Sequence, residues 1–438
     1  MNKRYPFCFI SAGLISLTLT LLCGLIAGFQ YIIPGFIKTV LPFHAVRPLH
    51  TLFAVGWIVL TATGSIYYYL GINEQHQKRT AVHFWIFLLS GMGIAISYLS
   101  VNFAGKEYLE FPGFFYFPVV LGWILFGISY FKIQLPSFRK WPVYYWMWAT
   151  GIVLMIYHFS EAHLWLLPYF EEHFVQNVAI QWKAGGSFVG SWNMLVYGTS
   201  MYVMAKIGQD DRYALSKKAF FFYFLGLTNL MFGWAHHIYI VPTAPWIRYF
   251  AYIISMTEWI VLISIIYDWK KSLSQERKIA FSLAYKLMLL ADFWIFLNII
   301  LALLISIPAI NLFTHGTHIT VAHSMGTTIG INTLILLSSV TFILEQRNVL
   351  SVRETQKITS ALKVFNISFV LFFLCLLIMG LKKSYWIFFD NRLPFGQFQE
   401  SLHWFHILFV VFGTGILAGL YRIIFILLRG IKRTLTME

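Results

Sequence analysis

Three histidines and one glutamate stand inside segments of the chain that are otherwise apolar. His236 and His237 are adjacent, Glu258 follows them, and His323 lies much further along. Such side chains are costly to place inside apolar segments unless they are hydrogen-bonded or bind a metal. Iron accepts mixed imidazole and carboxylate ligands, and an imidazole is also an axial ligand of heme iron. These residues predict a heme and metal site, and hydrogen bonding to neighbouring helices is the alternative.

The elements that must position these residues are membrane-spanning helices. The chain has 438 residues, of which 59% are hydrophobic and only 11% are charged. A soluble domain of this length would carry far more charge. We therefore predict an all-α polytopic membrane protein that forms a single domain over residues 1–438, with the N-terminal apolar run retained as its first span. Apolar runs of spanning length recur about twelve times, at 7–28, 48–72, 81–103, 114–134, 142–163, 180–206, 217–240, 246–267, 287–308, 319–346, 360–383 and 402–429.

The net charge of +15 is explained by membrane topology. With a cytoplasmic N-terminus, the basic pairs Lys78–Arg79, Arg139–Lys140 and Lys270–Lys271 all fall on the cytoplasmic side, whereas Glu171 and Glu172 lie in an outward loop. Basic residues concentrate on that side of bacterial membrane proteins. We predict a multi-pass protein of the bacterial inner (plasma) membrane, embedded in the lipid bilayer, with both termini cytoplasmic. This distribution argues against a nucleic-acid partner.

The histidines fall mostly on one side of the predicted bundle. Of 14 histidines, only His76 and His83 belong to the cytoplasmic side. The others lie in outward loops or near the outer ends of spans, as a heme-binding layer close to the outer face would require. Histidines that reach interfacial water are the alternative, which we favour for His44, His158, His163 and His173.

Two further observations concern heme. His50 begins the second span and His323 begins the tenth, so both are candidate axial ligands, with a hydrogen-bonded helix cap as the alternative. The three cysteines form no CxxCH motif, so the chain carries no covalently attached heme.

In these segments the chain resembles subunit I of the heme–copper oxidase superfamily, and within it the large subunit of respiratory nitric oxide reductase. Arg47 to His50 resembles the segment with the low-spin heme ligand, His50. Gly233 to His237 resembles the segment with the paired metal-binding histidines, and Thr314 to His323 the segment with the high-spin heme ligand, His323.

The resemblance extends to two carboxylates. Gly105 to Pro112 resembles an outer-loop motif of the nitric oxide reductases, which implies that Glu107 binds a calcium ion bridging heme propionates. Glu258 stands where the reductases have a buried glutamate beside a non-heme iron, a residue that oxygen-reducing relatives usually lack.

The chain departs from the family pattern in two places. The family's third metal-binding histidine lies on span six, where this chain has Gly185 or Gly186 and no histidine in the span. Lys183 is close by and would oppose a divalent cation if it faced inward. On span ten, Met325 replaces the family's second histidine. A methionine can ligate heme opposite His50, or it can be a core residue.

The resemblance implies a nitric oxide reductase-like enzyme of the respiratory chain with two b-type hemes. A second metal would bind His236, His237 and Glu258, and iron suits that ligand set better than copper. Electrons would come from a cytochrome c subunit, a soluble cytochrome c or quinol. The alternatives are a NO dismutase-like or O2-reducing relative, a non-catalytic heme-binding sensor or electron-transfer protein, and a transporter. Asp292 is expected to be a capping or solvated residue rather than part of a proton path.

Overall fold

The computed structural model describes residues 4–72, 74–233, 235, 239, 244–257, 259–390 and 393–437. Three predicted site residues, His236, His237 and Glu258, lie outside the described residues. The described part of the chain consists of helices and connecting turns and contains no β-strand, which confirms the all-α prediction.

Each predicted span corresponds to a helix. In chain order these are α1 (Arg4–Ile32), α2 (Phe43–Tyr69), α3 (Glu74–Leu99), α4 (Tyr116–Gln134), α5 (Val143–Ala162), α6 (Gly185–Gly208), α7 (Lys217–Phe232), α8 (two helical parts, Pro245–Ser255 and Trp259–Ser272), α9 (Ser282–Ser306), α10 (His318–Gln346), α11 (Val352–Phe388) and α12 (His403–Met437).

Nine helices in the described ranges are long and apolar enough to cross a membrane. The other three are α5 and α6, which contain many aromatic or small polar residues, and α7, whose described helix has 16 residues. The bundle is therefore multi-pass, as predicted. Short helices at Pro168–Glu172 and Phe174–Ala179 occupy the connection between α5 and α6.

Small residues let neighbouring helices approach closely. A β-carbon on Gly24 of α1 would lie 2.9 Å from two ring atoms of His50 on α2, and one on Gly151 of α5 would lie 3.0 Å from the carbonyl oxygen of Ser191 on α6. Close backbone approach through small residues is characteristic of helix pairs in membranes. The first of these contacts fixes where His50 of α2 lies relative to α1.

Two helical turns are wound more loosely than an α-helix. Ile180–Ala184, which leads into α6, and Gly326–Asn332, within α10, are π-helical. Such turns are rare and are often found at functional sites. One directly precedes Gly185 and the other directly follows Met325, the two regions where the sequence departs from the family pattern.

The expectation for Asp292 was wrong. Its side chain on α9 is buried, and its carboxylate lies 2.9 Å from the ammonium group of Lys270 on α8. A carboxylate inside a bundle requires a partner, and this one is supplied by the neighbouring helix instead of by water.

Candidate functional site

The outer-loop motif contacts the start of α2. The guanidinium group of Arg47 donates a hydrogen bond to the Glu110 carboxylate, and another of its nitrogens lies 3.9 Å from a carboxylate oxygen of Glu107. Arg47 comes about one helical turn before His50. Two segments that are distant in sequence therefore meet at the outer end of the predicted low-spin heme helix.

The conformation of this loop depends on a glycine. Gly105 has a φ of +76°, which favours glycine, and a β-carbon there would collide with the carbonyl oxygen of Leu109. The Ala104 amide donates to the carbonyl oxygen of Glu110 at 2.8 Å, which closes the turn. The side chain of Gln181 donates to the carbonyl oxygen of Glu107 at 3.3 Å. The motif is thus tied both to α2 and to the segment that leads into α6.

The ring of His50 is oriented by a hydrogen bond to the backbone of α1. Its Nδ1 lies 2.9 Å from the carbonyl oxygen of Thr20 on α1, so that nitrogen carries the proton and donates it. A histidine held in this way keeps the Nε2 lone pair for a metal. The half-buried position of the residue fits a low-spin heme, in which His50 would be one of two axial ligands.

The other predicted heme ligands lie near the N-terminal end of α10. His323 and Met325 are half-buried, and Met325 contacts the main hydrophobic core. The indole nitrogen of Trp57 on α2 donates to the hydroxyl of Thr333 at 3.0 Å, which joins α2 to α10. Burial lowers the pKa of His315, in the turn before α10. The structure therefore couples the two helices from which both hemes would be held, and the ligation of each heme stays a prediction.

The residues that flank the predicted metal-binding histidines, His236 and His237, lie near the segment that leads into α6. Ala235 and Tyr239 precede and follow His236 and His237 in the chain and form a small hydrophobic cluster with Ala251. Trp182, in the π-helical turn before α6, packs against this cluster. The end of this segment is held by Arg248, whose guanidinium group donates to the Tyr239 carbonyl oxygen at 2.7 Å.

Helix α7 itself also contacts α6. The hydroxyl of Ser187 on α6 donates to the carbonyl oxygen of Leu230 on α7 at 3.3 Å. The end of α7, after which the paired histidines follow in the chain, thus lies against the beginning of α6.

Lys183, Glu161 and His158 form a hydrogen-bonded cluster, the charged triad, beside the beginning of α6. The ammonium group of Lys183 is 2.6 Å from one carboxylate oxygen of Glu161, and that same oxygen is 3.0 Å from Nδ1 of His158. Exposed fractions of the three side chains are 23%, 17% and 0%, respectively. The charge of Lys183 is thus balanced by a carboxylate on α5, which weakens its opposition to a divalent cation nearby.

The sequence prediction for two histidines was wrong. His158 and His163 are buried instead of reaching water, whereas His44 and His173 are exposed as expected. The ring of His158 is hydrogen-bonded through Nδ1 to Glu161, and that of His163 to a backbone carbonyl oxygen at 2.8 Å. Sequence analysis missed Glu161 altogether. The sequence feature that could have identified Glu161 is its i, i+3 spacing from His158, which puts both side chains on one helix face.

The described residues do not by themselves complete a metal site. Within the described ranges no three histidine, cysteine or carboxylate side chains are close enough to hold one ion. The predicted ligands His236, His237 and Glu258 remain predictions, and so does the calcium role of Glu107. Carboxylates such as that of Glu107 are suitable calcium ligands, but Arg47 already provides a positive charge beside it.

We expect the substitution Arg47→Gln to raise calcium affinity at this loop about fivefold. Removing a unit charge about 4 Å from a solvated carboxylate changes its interaction energy by about 1 kcal/mol. Calcium retained per protein after dialysis at fixed free calcium measures the change. Lys38→Gln removes an exposed charge from an outward loop and serves as the control. Equal calcium binding by both variants would contradict the expectation.

We expect Gly24→Ala to displace the His50 ring and weaken the low-spin heme. The added methyl group would lie 2.9 Å from two ring atoms, and overpacking of this kind costs about 1–3 kcal/mol. The visible spectrum of the reduced protein should show a smaller or shifted low-spin band. Gly91→Ala, at a position with no atom of the described chain within 4 Å, is the matched control. Identical spectra of the two variants would show that this contact does not position His50.

Comparisons with known proteins identify a family, a relative and a similar fold. The sequence profile of the family described as "Cytochrome C and Quinol oxidase polypeptide I" matches residues 6–415. The chain is 23% identical over 350 residues to a nitric oxide reductase subunit from Stutzerimonas stutzeri, covering 73% of this chain and 71% of that protein. Its fold is similar to that of a heme-copper terminal oxidase, solved as a dimer by cryo-electron microscopy, with a TM-score of 0.71 and 13% identity over 98% of this chain and 84% of the other.

Proposed function

Since the chain belongs to the cytochrome c and quinol oxidase polypeptide I family, we propose that it reduces nitric oxide to nitrous oxide. Members of this family are heme-binding respiratory oxidoreductases of the membrane, and that much holds for this chain. In the proposed reaction, two NO molecules, two electrons and two protons give one nitrous oxide and one water.

The contact between Arg47 and the carboxylates of Glu107 and Glu110 is the observation that carries this proposal. It brings the outer-loop motif that resembles nitric oxide reductases to the helix of the proposed heme ligand His50. The similarity to the nitric oxide reductase subunit from Stutzerimonas stutzeri over most of the chain supports the same activity. Glu258 supports it further, because a buried glutamate in this position is typical of the reductases.

In this proposal each residue has a defined role. His50 and Met325 would hold a low-spin b-type heme, and His323 a high-spin one. His236, His237 and Glu258 would hold a non-heme iron. When bound, the two irons of the reaction site would bring both NO molecules together and stabilise developing negative charge.

The remaining chemistry falls to carboxylates. Glu258 would ligate the second metal or hold a proton close to the reacting oxygen. Glu107 and Glu110 lie at the outer surface, where protons could be taken up from the outside. Glu107 is exposed and Glu110 is half-buried next to Arg47, so the pair reaches from water toward the end of α2.

The electron donor would be a separate molecule. Because the chain lacks a CxxCH motif, we propose a cytochrome c subunit, a soluble cytochrome c or quinol. The expected setting is the bacterial inner membrane, with both termini cytoplasmic.

One observation favours a second candidate, a heme protein that senses NO or O2 or transfers electrons without turnover. Span six contains glycine where the family has its third metal-binding histidine. A site with fewer imidazoles binds its metal more weakly. O2 reduction and NO dismutation are further reactions that the same fold would support.

One purification distinguishes these candidates. Heme and non-heme iron are quantified, and NO consumption and nitrous oxide formation are measured with a reduced donor. Two hemes, one non-heme iron and nitrous oxide formation would support NO reduction. Two hemes without a further metal and without turnover would support the non-catalytic protein. O2 uptake without NO consumption would identify an oxidase.

The variant His236→Ala tests the metal pair separately. We expect it to abolish NO turnover and leave the low-spin heme spectrum unchanged, because the proposed low-spin ligands belong to α2 and α10. A variant that loses both signals would indicate a folding defect, for which total heme content is the measure.

A further inference from the structure

We propose that a groove between α4, α5 and α7 binds one anionic phospholipid, with an acyl chain in the groove and the headgroup at its basic end. The groove has a volume of about 350 Å³ and is lined mainly by apolar and aromatic side chains. This volume falls within the range of about 300–1,000 Å³ that is usual for ligand sites. The inference goes beyond the proposed function and does not depend on it.

The groove runs lengthwise along α5. Its lining residues in this part of the chain extend from Trp141, just before the helix, to Leu154, and Phe131 of α4 and Leu227 of α7 line its sides. The distance from Trp141 to Leu154 along the helix axis is about 20 Å, and one leaflet of the hydrocarbon core is about 15 Å thick. The groove therefore extends through one leaflet, which is the depth that an acyl chain reaches.

The groove is open on the outside of the bundle. Three apolar side chains that line it are about half exposed, namely Leu135 (55%), Phe138 (45%) and Val153 (49%). In contrast, Trp141 and Ala149 are buried. Apolar side chains on the outside of a membrane-spanning bundle face lipid, so an acyl chain can enter this groove sideways from the bilayer.

One polar pair lies in the wall of the groove. The hydroxyl groups of Thr150 on α5 and Tyr223 on α7 are 2.5 Å apart and hydrogen-bonded to each other. None of the lining residues is charged. A hydrocarbon chain suits this lining, whereas the polar head of a quinol would need hydrogen-bond partners of its own.

Basic residues surround the end of the groove that is predicted to face the cytoplasm. Arg139 and Lys140 stand in the chain between the lining residues Phe138 and Trp141, and Lys217 is the first residue of α7. All three basic side chains are exposed, and none forms an ion pair with another residue that the structure describes. Three positive charges are therefore available to a ligand at this end.

The carboxylates near this end are already paired. The loop between α6 and α7 lies against the start of α5, where the Val143 amide donates to the Ala214 carbonyl oxygen at 2.8 Å. In and beside this loop the ion pairs are Lys206–Asp211, Arg212–Asp210 and Lys218–Asp268. The charge that remains is positive and complements a phosphate headgroup. Anionic lipids of the cytoplasmic leaflet attract basic residues in this way, and a neutral quinol would gain nothing from them.

The experiment compares phosphatidylglycerol with phosphatidylcholine of identical acyl chains, each titrated into the purified protein in detergent and counted by native mass spectrometry. We expect phosphatidylglycerol to bind at least about tenfold more tightly, because each basic side chain close to an anionic headgroup contributes about fivefold. The groove variant Arg139→Gln, Lys140→Gln, Lys217→Gln should lose this preference. The matched control removes one arginine and two lysines that are exposed on α11, in Arg353→Gln, Lys357→Gln, Lys363→Gln, and should keep it.

A second variant tests the groove itself. Val153→Trp places a larger side chain in the groove at a half-exposed position, which the fold should tolerate. We expect it to weaken phosphatidylglycerol binding at least about fourfold, which is the contribution of one buried methylene group. Monodisperse elution in gel filtration reports folding of every variant.

Three results would overturn the inference. The first is equal binding of the two phospholipids by the parent protein. The second is unchanged phosphatidylglycerol binding in the groove variant or in Val153→Trp. The third is displacement of phosphatidylglycerol by an equal concentration of a neutral quinol, which would assign the groove to quinol.

Discussion

Replacing His50 with alanine is expected to remove the low-spin heme and to lower NO turnover more than about 100-fold. Changing a residue that only orients a metal ligand has an effect of roughly 10–100-fold, and loss of an axial ligand should exceed it. The bond from Nδ1 to the carbonyl oxygen of Thr20 presents Nε2 as the ligand, and alanine has no substitute for it. Electrons would then have no route from the donor to the reaction site.

Optical spectra of the reduced protein and heme content per chain check this result. The control is His44→Ala, which removes an exposed imidazole six residues earlier in the same helix. We expect that control to retain both hemes. A normal low-spin spectrum in His50→Ala would remove His50 from the heme site, and with it the paired role of Met325.

Replacing Lys183 with methionine is expected to lower the free energy of unfolding by about 2–3 kcal/mol. Breaking a fully buried ion pair by removing one partner costs about 3–5 kcal/mol. Here the two side chains retain 23% and 17% exposure, so solvent reduces the cost. The remaining carboxylate of Glu161 would have His158 as its neighbour in a mostly apolar surrounding.

Unfolding in mixed micelles titrated with denaturing detergent measures this change. The double variant Glu161→Gln, Lys183→Met removes both charges, and we expect it to regain all but about 1 kcal/mol of the loss. Equal stability of the single and double variants would show that the pair contributes little. Lys217→Met, which removes an exposed charge at the start of α7, is a suitable control.

The sequence predicted the helices of this protein well because bilayer thickness sets their length. Each of the predicted spans coincides with a helix, and the boundaries of α2 and α10 place His50 and His323 close to helix starts. The contact of the outer-loop motif with Arg47 was not predictable from periodicity, since the residues that it joins are 63 positions apart.

The charged triad could not be predicted from the sequence for a different reason. From the sequence alone, an isolated lysine or histidine near a helix end is equally compatible with contact to interfacial water. Only the packing of α5 against α6 shows that Lys183 and His158 contact Glu161 instead. His158 was expected at the membrane surface, and Asp292 in water, yet both are buried with partners from the same or a neighbouring helix. The i, i+3 spacing indicates the contact between His158 and Glu161. The burial of that pair and its ion pair with Lys183 depend on contacts between helices, which no local pattern specifies.

The loosely wound turn at Ile180–Ala184 has a consequence for evolutionary comparison. A π-helical turn holds one more residue than a turn of α-helix. The side chains before it are therefore rotated by about 100° about the helix axis from where an uninterrupted α-helix would place them. If positions in this chain are assigned by counting residues along the regular helix of a relative, those beyond the π-helical turn are assigned to the wrong face of the helix.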